Sequence, residues 1–207
     1  MSYEDMKPGD IIGFSGAGWI SSGINVVTYG LPWWSISHVG IIGEDVTHPR
    51  TDVALYKEFE LPLLLFESTE FPNQEPCEIT REPICGTQAH DCRWVVNQYK
   101  GAAWHYKLTR ELYPHERARL SRYLNATCGT PYDVLGAMRS GGMLFAWAEA
   151  LFRTQNANKL FCSEWVAAAA QNVGILQTSS FSGWSPNYLV RYLRRMGWLH
   201  KPERLPR

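Results

Sequence analysis

The chain has 207 residues, a mass of 23.6 kDa and a formal net charge of +0 at pH 7. Hydrophobic residues make up 45% and charged residues 19% of it, a balance that is typical of a globular domain with a sizeable core and excludes a disordered chain. Because a neutral chain has no basic field to hold a phosphate backbone, nucleic-acid binding is not expected.

The first half of the chain predicts β structure. A turn signal at residues 7–10 precedes a short apolar strand at residues 11–14, and the glycine- and serine-rich stretch SGAGWISSG follows as a loop. SHVGIIGE predicts a second strand, in which His38, Gly40 and Ile42 share one face and the intervening residues the other. LPLLLFESTEF is apolar on both faces until Glu67, which predicts a central third strand.

The second half predicts mainly helices. Residues 75–101 have a mixed pattern that indicates one or two further strands and a short helix at about residues 91–99. Helices are then predicted at residues 114–125, at residues 134–152, from Cys162 to about QNVG, and in SPNYLVRYLRRMGW, where Ser185 is the N-cap and Pro186 the first helical residue. The chain is therefore predicted to form a single α+β domain over residues 1–207, with a small antiparallel sheet packed against helices.

The cysteines and the apolar stretches indicate a cytoplasmic protein. The five cysteines are odd in number and irregularly spaced, which argues against a disulfide framework. The first residues, MSYEDMKPGDIIGF, are acidic where a signal peptide needs a basic start and an apolar block. VLGAMRSGGMLFAWAEALF is interrupted by Arg139 and Glu149, whereas a membrane span needs roughly 20 mostly uncharged residues. We therefore expect no stable membrane insertion.

Cys162 stands out among the cysteines because it falls at or just before the first turn of its predicted helix. The free backbone N–H groups of a first turn, together with the helix dipole, favour a thiolate. The same N–H groups can receive the oxyanion that forms when a thiolate attacks a carbonyl. The alternative is a small buried residue that closes a hydrophobic helix.

A thiolate nucleophile needs a histidine that is held by a third polar group. His38 starts a strand beside Gly40, which is expected to leave room over the sheet. Glu67 ends an apolar run, where a buried carboxylate needs a partner, and it would orient His38 if the two strands are neighbours. A histidine satisfied by the backbone and a carboxylate at the exposed rim are the alternatives.

The remaining acidic and histidine residues offer few other candidates for this site. Glu44, Glu70 and His48 are the fallback candidates for the third residue. All histidines other than His38 lie in polar stretches and are predicted to be on the solvated surface; they are His48, His90, His105, His115 and His200.

An ordered set of short patches adds a resemblance. KPGDIIGFSG, SHVGII, LLLFEST, GTPYD, FCSEWVA and SPNYL together resemble the circularly permuted branch of the NlpC-type papain-like cysteine hydrolases, the YiiX/YaeF-like proteins, which are related to the lecithin:retinol acyltransferase group. The resemblance implies a permuted papain-like fold, with the family's histidine at His38, its acidic residue at Glu67 and its nucleophile at Cys162. The chain departs from the pattern in a longer stretch between His38 and Glu67 and in a helical insertion at about residues 134–155.

We therefore expect a cysteine hydrolase, an amidase or peptidase for which ester cleavage or acyl transfer are variants. The resemblance implies a short peptide substrate, such as a cell-wall-derived one, or a lipid-modified amide, and Trp19 and Tyr132 are expected to line the groove. No metal or organic cofactor is expected, because Cys85, His90 and Cys92 lack the fourth ligand of a structural zinc site. The alternative is a non-catalytic lipid- or peptide-binding module on the same fold.

Overall fold

The computed structural model describes residues 3–16, 36–47, 63–69, 75–130, 157–177 and 184–207. Strands β1 (Ile11–Gly16), β2 (His38–Glu44), β3 (Leu63–Thr69) and β4 (Gly86–His90) are followed by helix α1 (Cys92–Gln98) and strand β5 (Gly101–Tyr106). Helices α2 (Pro114–Thr127), α3 (Ala157–Asn172) and α4 (Pro186–Arg195) come next, and the short strand β6 (Glu203–Arg204) lies near the end.

The six strands form one antiparallel sheet in the order β4-β3-β2-β1-β5-β6. The α+β class is therefore confirmed. Strand β3 lies between β2 and β4, as its apolar pattern on both faces predicts. Strand β5 begins at Gly101, the last residue of the stretch with a mixed pattern, and the sequence predicts neither β5 beyond that residue nor β6.

The two faces of the sheet are covered by different helices. Val39 and Ile41 pack in the same core cluster as buried residues of α2, α3 and α4, and this side is called the α3 face. Phe14, Ile42 and Leu65 pack with buried residues of α1, and this side is called the α1 face. The predicted alternation along β2 is confirmed, because Ile42 lies on the opposite face from Val39 and Ile41.

Capping residues set the starts of two helices. Asp91 accepts a hydrogen bond from the backbone N of Trp94 at 2.8 Å, which places α1 within the predicted range. Ser185 accepts from the backbone N of Tyr188 at 3.2 Å and Pro186 follows it, so the predicted start of α4 is confirmed.

The predicted helical insertion at residues 134–155 lies wholly outside the described residues. In the ranges that the structure describes, no helix has both the length and the apolar character needed to cross a membrane.

Candidate active site

The sheet is open at one end between β2 and β3. The paired register of these strands ends where Gly40 faces Glu67, although β2 extends back to His38 and β3 continues to Thr69. On their other sides both ends stay paired, His38 with β1 and Thr69 with β4. The two strands therefore part at this end, and the candidate site lies there.

His38 and Glu67 contact each other at this opening. Glu67 faces Gly40, and His38 precedes Gly40 by two residues, so alternation directs both side chains to the same side of their strands. The Nε2 atom of His38 lies 2.8 Å from Oε2 of Glu67. Glu67 is 5% exposed, so its carboxylate is a buried group with a hydrogen-bond partner and not an exposed rim residue.

Cys162, on α3, is the third member of the group. Its side chain hydrogen-bonds with the side chain of His38. Because Glu67 engages Nε2, Nδ1 is the ring nitrogen that remains for the thiol. The structure therefore brings together the three residues that the sequence singles out, with the imidazole between a sulfur and a carboxylate.

The surroundings of His38 favour its protonated form. Burial lowers the pKa of His38, but the neighbouring Cys162 and then Glu67 outweigh this effect and hold it well above its ordinary value of 6.5. An imidazolium at this position has the sulfur of Cys162 on one side and the carboxylate of Glu67 on the other. Such a pair can hold a thiolate and later return a proton to a leaving group.

The predicted position of Cys162 in its helix is wrong. Helix α3 begins at Ala157, so Cys162 lies in the second turn and not at or just before the first. Backbone N–H groups beyond the first four residues of an α-helix are bonded within the helix, so the N–H of Cys162 is no ready oxyanion donor. The electrostatic partner of the sulfur is therefore the imidazole of His38, and the helix end is too far along the chain to replace it.

Cys162 is closed to solvent. Its exposed fraction is 0%, whereas the side chain of His38 is 18% exposed. A substrate carbonyl must touch the sulfur before any bond forms, so covering groups have to move first. The partly exposed imidazole marks the side from which the site is reached.

The sequence predicts that Gly40 leaves room over the sheet, and this prediction is wrong. Its missing side chain instead allows β2 and β3 to approach each other closely. A Cβ atom there would lie 2.8 Å from the backbone oxygen of Phe66 and 2.7 Å from Cδ1 of Leu65. Any side chain at this position would push β2 away from β3 at the pair that faces Glu67.

Glu44, a fallback candidate, lies at the opposite end of β2 from His38. Its carboxylate accepts hydrogen bonds from Arg117 and, at 3.0 Å, from the hydroxyl of Ser121, so it connects β2 to α2. Glu70 and His48, the other fallback candidates, lie outside the described residues, as do the expected groove residues Trp19 and Tyr132.

Two of the histidines predicted on the surface are buried. His90 is 2% and His105 is 1% exposed, because both lie in strands that the polar stretches concealed. His115 and His200 are exposed, as predicted.

The weak metal motif is divided between different environments. Cys85 is exposed, whereas Cys92 is buried at the start of α1. Burial, followed by the charges of Asp91 and Glu67, raises the pKa of Cys92 to about 12, so this sulfur is a thiol at neutral pH. Across the described ranges, no three His, Cys, Asp or Glu side chains are grouped as metal ligands.

Gln88 is a polar residue beside the site that the sequence analysis missed. It faces Glu67 in the register of β3 with β4 and is 1% exposed. In the part of the chain that the structure describes, neither its amide nitrogen nor its amide oxygen has a hydrogen-bond partner. The sequence could have indicated Gln88 only if GTQAH had been recognised as a strand next to β3, because a buried glutamine then requires an explanation.

Comparisons with known proteins give little further information. No family model matches the chain, and no curated protein matches it. Among solved structures, one described as the metalloprotein YiiX from Escherichia coli O157:H7 aligns with a TM-score of 0.48 and 16% identity, covering 95% of this chain and 87% of that one. A likeness at this level assigns neither a family nor an activity.

Proposed function

We propose that the chain is a cysteine hydrolase in which Cys162 is the nucleophile, His38 the general base and acid, and Glu67 the residue that orients His38. The observation that carries this proposal is the 2.8 Å contact of Glu67 with His38 Nε2, combined with the contact of Cys162 with the same imidazole. This is the arrangement of nucleophile, base and orienting group that covalent catalysis needs.

The reaction would proceed through a thioester. The Cys162 sulfur attacks the carbonyl carbon of the substrate while its proton resides on His38. The tetrahedral intermediate then breaks the bond between carbon and nitrogen, and the imidazolium donates its proton to the departing amine. Water, deprotonated by His38, attacks the thioester, which releases the carboxylic acid and restores the thiol. Throughout this cycle Glu67 keeps Nε2 engaged, so that Nδ1 faces the sulfur.

The substrate class follows from the resemblance of the sequence to permuted NlpC-type enzymes. It is an amide in a short peptide, such as one derived from cell wall, or a lipid-modified amide. An amine or alcohol in place of water would make the same thioester a donor for acyl transfer.

The test uses an activated ester, p-nitrophenyl acetate, because it reports on the sulfur without knowledge of the substrate. We expect a stoichiometric burst of p-nitrophenol, and an acetyl group on the peptide that contains Cys162 when acid-quenched protein is digested and analysed by mass spectrometry. Panels of γ-glutamyl peptides and N-acyl amides then follow for turnover.

Matched variants separate chemistry from folding. Cys162→Ala should lose the burst, and Cys92→Ala, which changes another buried cysteine, should keep it. His38→Ala should lower the acylation rate by about 100-fold or more, the usual contribution of a general base. Acetylation that is spread over several cysteines, or that is unchanged in His38→Ala, would refute the proposed triad.

A binding module on the same fold is the second candidate, and the complete burial of Cys162 favours it. In that case wild-type protein should bind a fluorescent fatty amide or a short peptide, while Cys162 acquires no acetyl group. The burst experiment therefore separates the two functions.

A further inference from the structure

A second pair of cysteines lies away from the candidate active site. The Sγ atoms of Cys77 and Cys128 are 3.5 Å apart. Cys77 precedes β4 in a turn, where its backbone N donates to the oxygen of Glu82 at 3.0 Å, and Cys128 caps the end of α2. All five cysteines are free, so this pair is a dithiol.

The two sulfurs have different surroundings. The backbone N of Ala89 donates to Sγ of Cys77 at 3.4 Å, and the backbone N–H groups of Thr80 and Ile79 also hydrogen-bond to this sulfur. Sγ of Cys128 lies 3.7 Å from the backbone oxygen of Thr87, which is a second acceptor, besides Sγ of Cys77, for the single proton of this thiol. Cys77 is thus surrounded by donors, whereas Cys128 has an acceptor for its proton.

The electrostatics agree with this geometry. The hydrogen bond from Cys128, together with the backbone donors, lowers the pKa of Cys77 below the ordinary value of a thiol, against the opposing effect of burial. The hydrogen bond with Cys77, followed by burial, raises the pKa of Cys128 far above its usual range. A thiolate beside a thiol is the pairing that an oxidation to a disulfide uses.

We propose that Cys77 and Cys128 form a peroxide-reactive site that closes to a disulfide. The Cys77 thiolate attacks one oxygen of hydrogen peroxide, the O–O bond breaks, and the other oxygen leaves as water after taking a proton. The Cys77 sulfenic acid is then attacked by the Cys128 sulfur, which forms the S–S bond and releases a second water. In sum, two thiols are oxidised and one peroxide is reduced to two waters. A sulfur–sulfur separation of 3.5 Å requires only a small closing movement.

Access to the site is compatible with a small oxidant. Cys77 is fully buried, but Cys128 is partly exposed, so the pair lies just beneath the surface. Peroxide can reach a sulfur at this depth more easily than a bulky disulfide can. The exposed Cys85 serves as the internal comparison.

The test treats the native full chain with dilute hydrogen peroxide, blocks the remaining thiols with N-ethylmaleimide, and maps peptides without reduction. We expect the peptides of Cys77 and Cys128 to be linked with the loss of two hydrogens, before Cys85 is oxidised, and to separate after dithiothreitol. In Cys128→Ser, the sulfenic acid on Cys77 should accumulate and react with dimedone; Cys92→Ser is the matched control and should behave as wild type.

Oxidation of Cys85 first, or a linkage that forms only in denatured protein, would overturn the proposal. Circular dichroism shows whether each cysteine variant is folded. The non-reducing peptide map of the wild-type protein tests the proposal even if a variant does not fold. Because the experiment detects the disulfide between Cys77 and Cys128 directly, its result does not depend on whether the protein is a hydrolase.

Discussion

Replacing Glu67 with glutamine tests the electrostatic basis of the candidate site with the least change in shape. Glutamine has nearly the same volume, and its amide oxygen can still accept from His38 Nε2, which now lies 2.8 Å from a carboxylate oxygen. Only the negative charge is removed. The effect on His38 therefore measures the contribution of that charge.

The magnitude follows from the type of hydrogen bond. A bond to a charged group contributes about 1.5–3 kcal/mol and a neutral one about 0.5–1.5 kcal/mol, so the difference is roughly 1–1.5 kcal/mol. Since one pKa unit corresponds to about 1.4 kcal/mol, Glu67→Gln should lower the pKa of His38 by about one unit. It starts from a value held well above 6.5, so the remaining elevation comes from Cys162.

The sign of the stability effect follows from linkage. A histidine whose pKa is raised by folding stabilises the protein fully below its unfolded value of 6.5 and loses this contribution as pH rises through the folded pKa. Glu67→Gln should therefore reduce the free energy of unfolding by about 1.4 kcal/mol more in mild acid than above the folded pKa of His38.

Urea unfolding at a series of pH values measures this difference, and the His38 ring proton followed by NMR gives the pKa directly. The matched control is Glu44→Gln, which removes a buried carboxylate that pairs with Arg117 and Ser121 and not with a histidine. It should destabilise the protein without changing the His38 titration. A His38 pKa that is ordinary in wild type, or that is the same in Glu67→Gln, would refute the electrostatic reasoning.

Three other predictions concern the framework. Gly40→Ala forces a Cβ atom to within 2.8 Å of a backbone oxygen in β3, so it should cost about 1–3 kcal/mol in chemical denaturation and slow acylation of the candidate nucleophile. Asp10→Asn weakens the carboxylate that accepts from two backbone N–H groups and one imidazole, so the free energy of unfolding should fall by about 3 kcal/mol in urea titrations, while the exposed Glu111→Gln leaves it unchanged. Closing the disulfide between Cys77 and Cys128, which are 51 residues apart, should raise the free energy of unfolding by up to about 4 kcal/mol, and thermal unfolding of oxidised and reduced protein would measure it.

The sheet could be predicted largely from local patterns because its central strands are buried on both faces. Alternation along SHVGIIGE assigns Ile42 to one face and Val39 to the other, and the structure has them so. Strand β5 was missed because GAAWHY contains a polar residue, His105, whose partner Asp10 is 95 residues away. The pattern of neighbouring residues cannot indicate a partner that is so far away in the sequence.

The start of α3 shows a different limit. The residues before Cys162, ANKLF, include three good helix formers in Ala157, Lys159 and Leu160, and asparagine, a residue that often caps a helix, stands at positions 156 and 158. Local propensity therefore allows the helix to begin earlier, at Ala157. The predicted start at Cys162 rested on the FCSEWVA motif and not on the residues that precede it. The contact of Cys162 with His38 depends on how α3 packs on the sheet, which the order of motifs could only suggest.

The described residues include two pairs of a histidine and a buried carboxylate, and comparing them separates a structural role from a chemical one. In the pair of His105 and Asp10, Nε2 lies 2.7 Å from the carboxylate, both side chains are at most 3% exposed, and Nδ1 of His105 has no hydrogen-bond partner among the residues that the structure describes. Within those residues the imidazole has no second group with which to exchange a proton, so the pair joins β5 to Asp10, the residue before β1.

His38 also contacts a carboxylate through Nε2, at 2.8 Å, but its environment differs in three ways. Its ring is partly exposed, it stands where β2 and β3 part, and its remaining nitrogen is available to the sulfur of Cys162. Burying a carboxylate is costly for folding in both pairs. Of the two pairs, the pair at the His38 end of the sheet has an imidazole that contacts a cysteine side chain and is also partly exposed to solvent. The proposed chemistry is therefore assigned to this pair and not to the other.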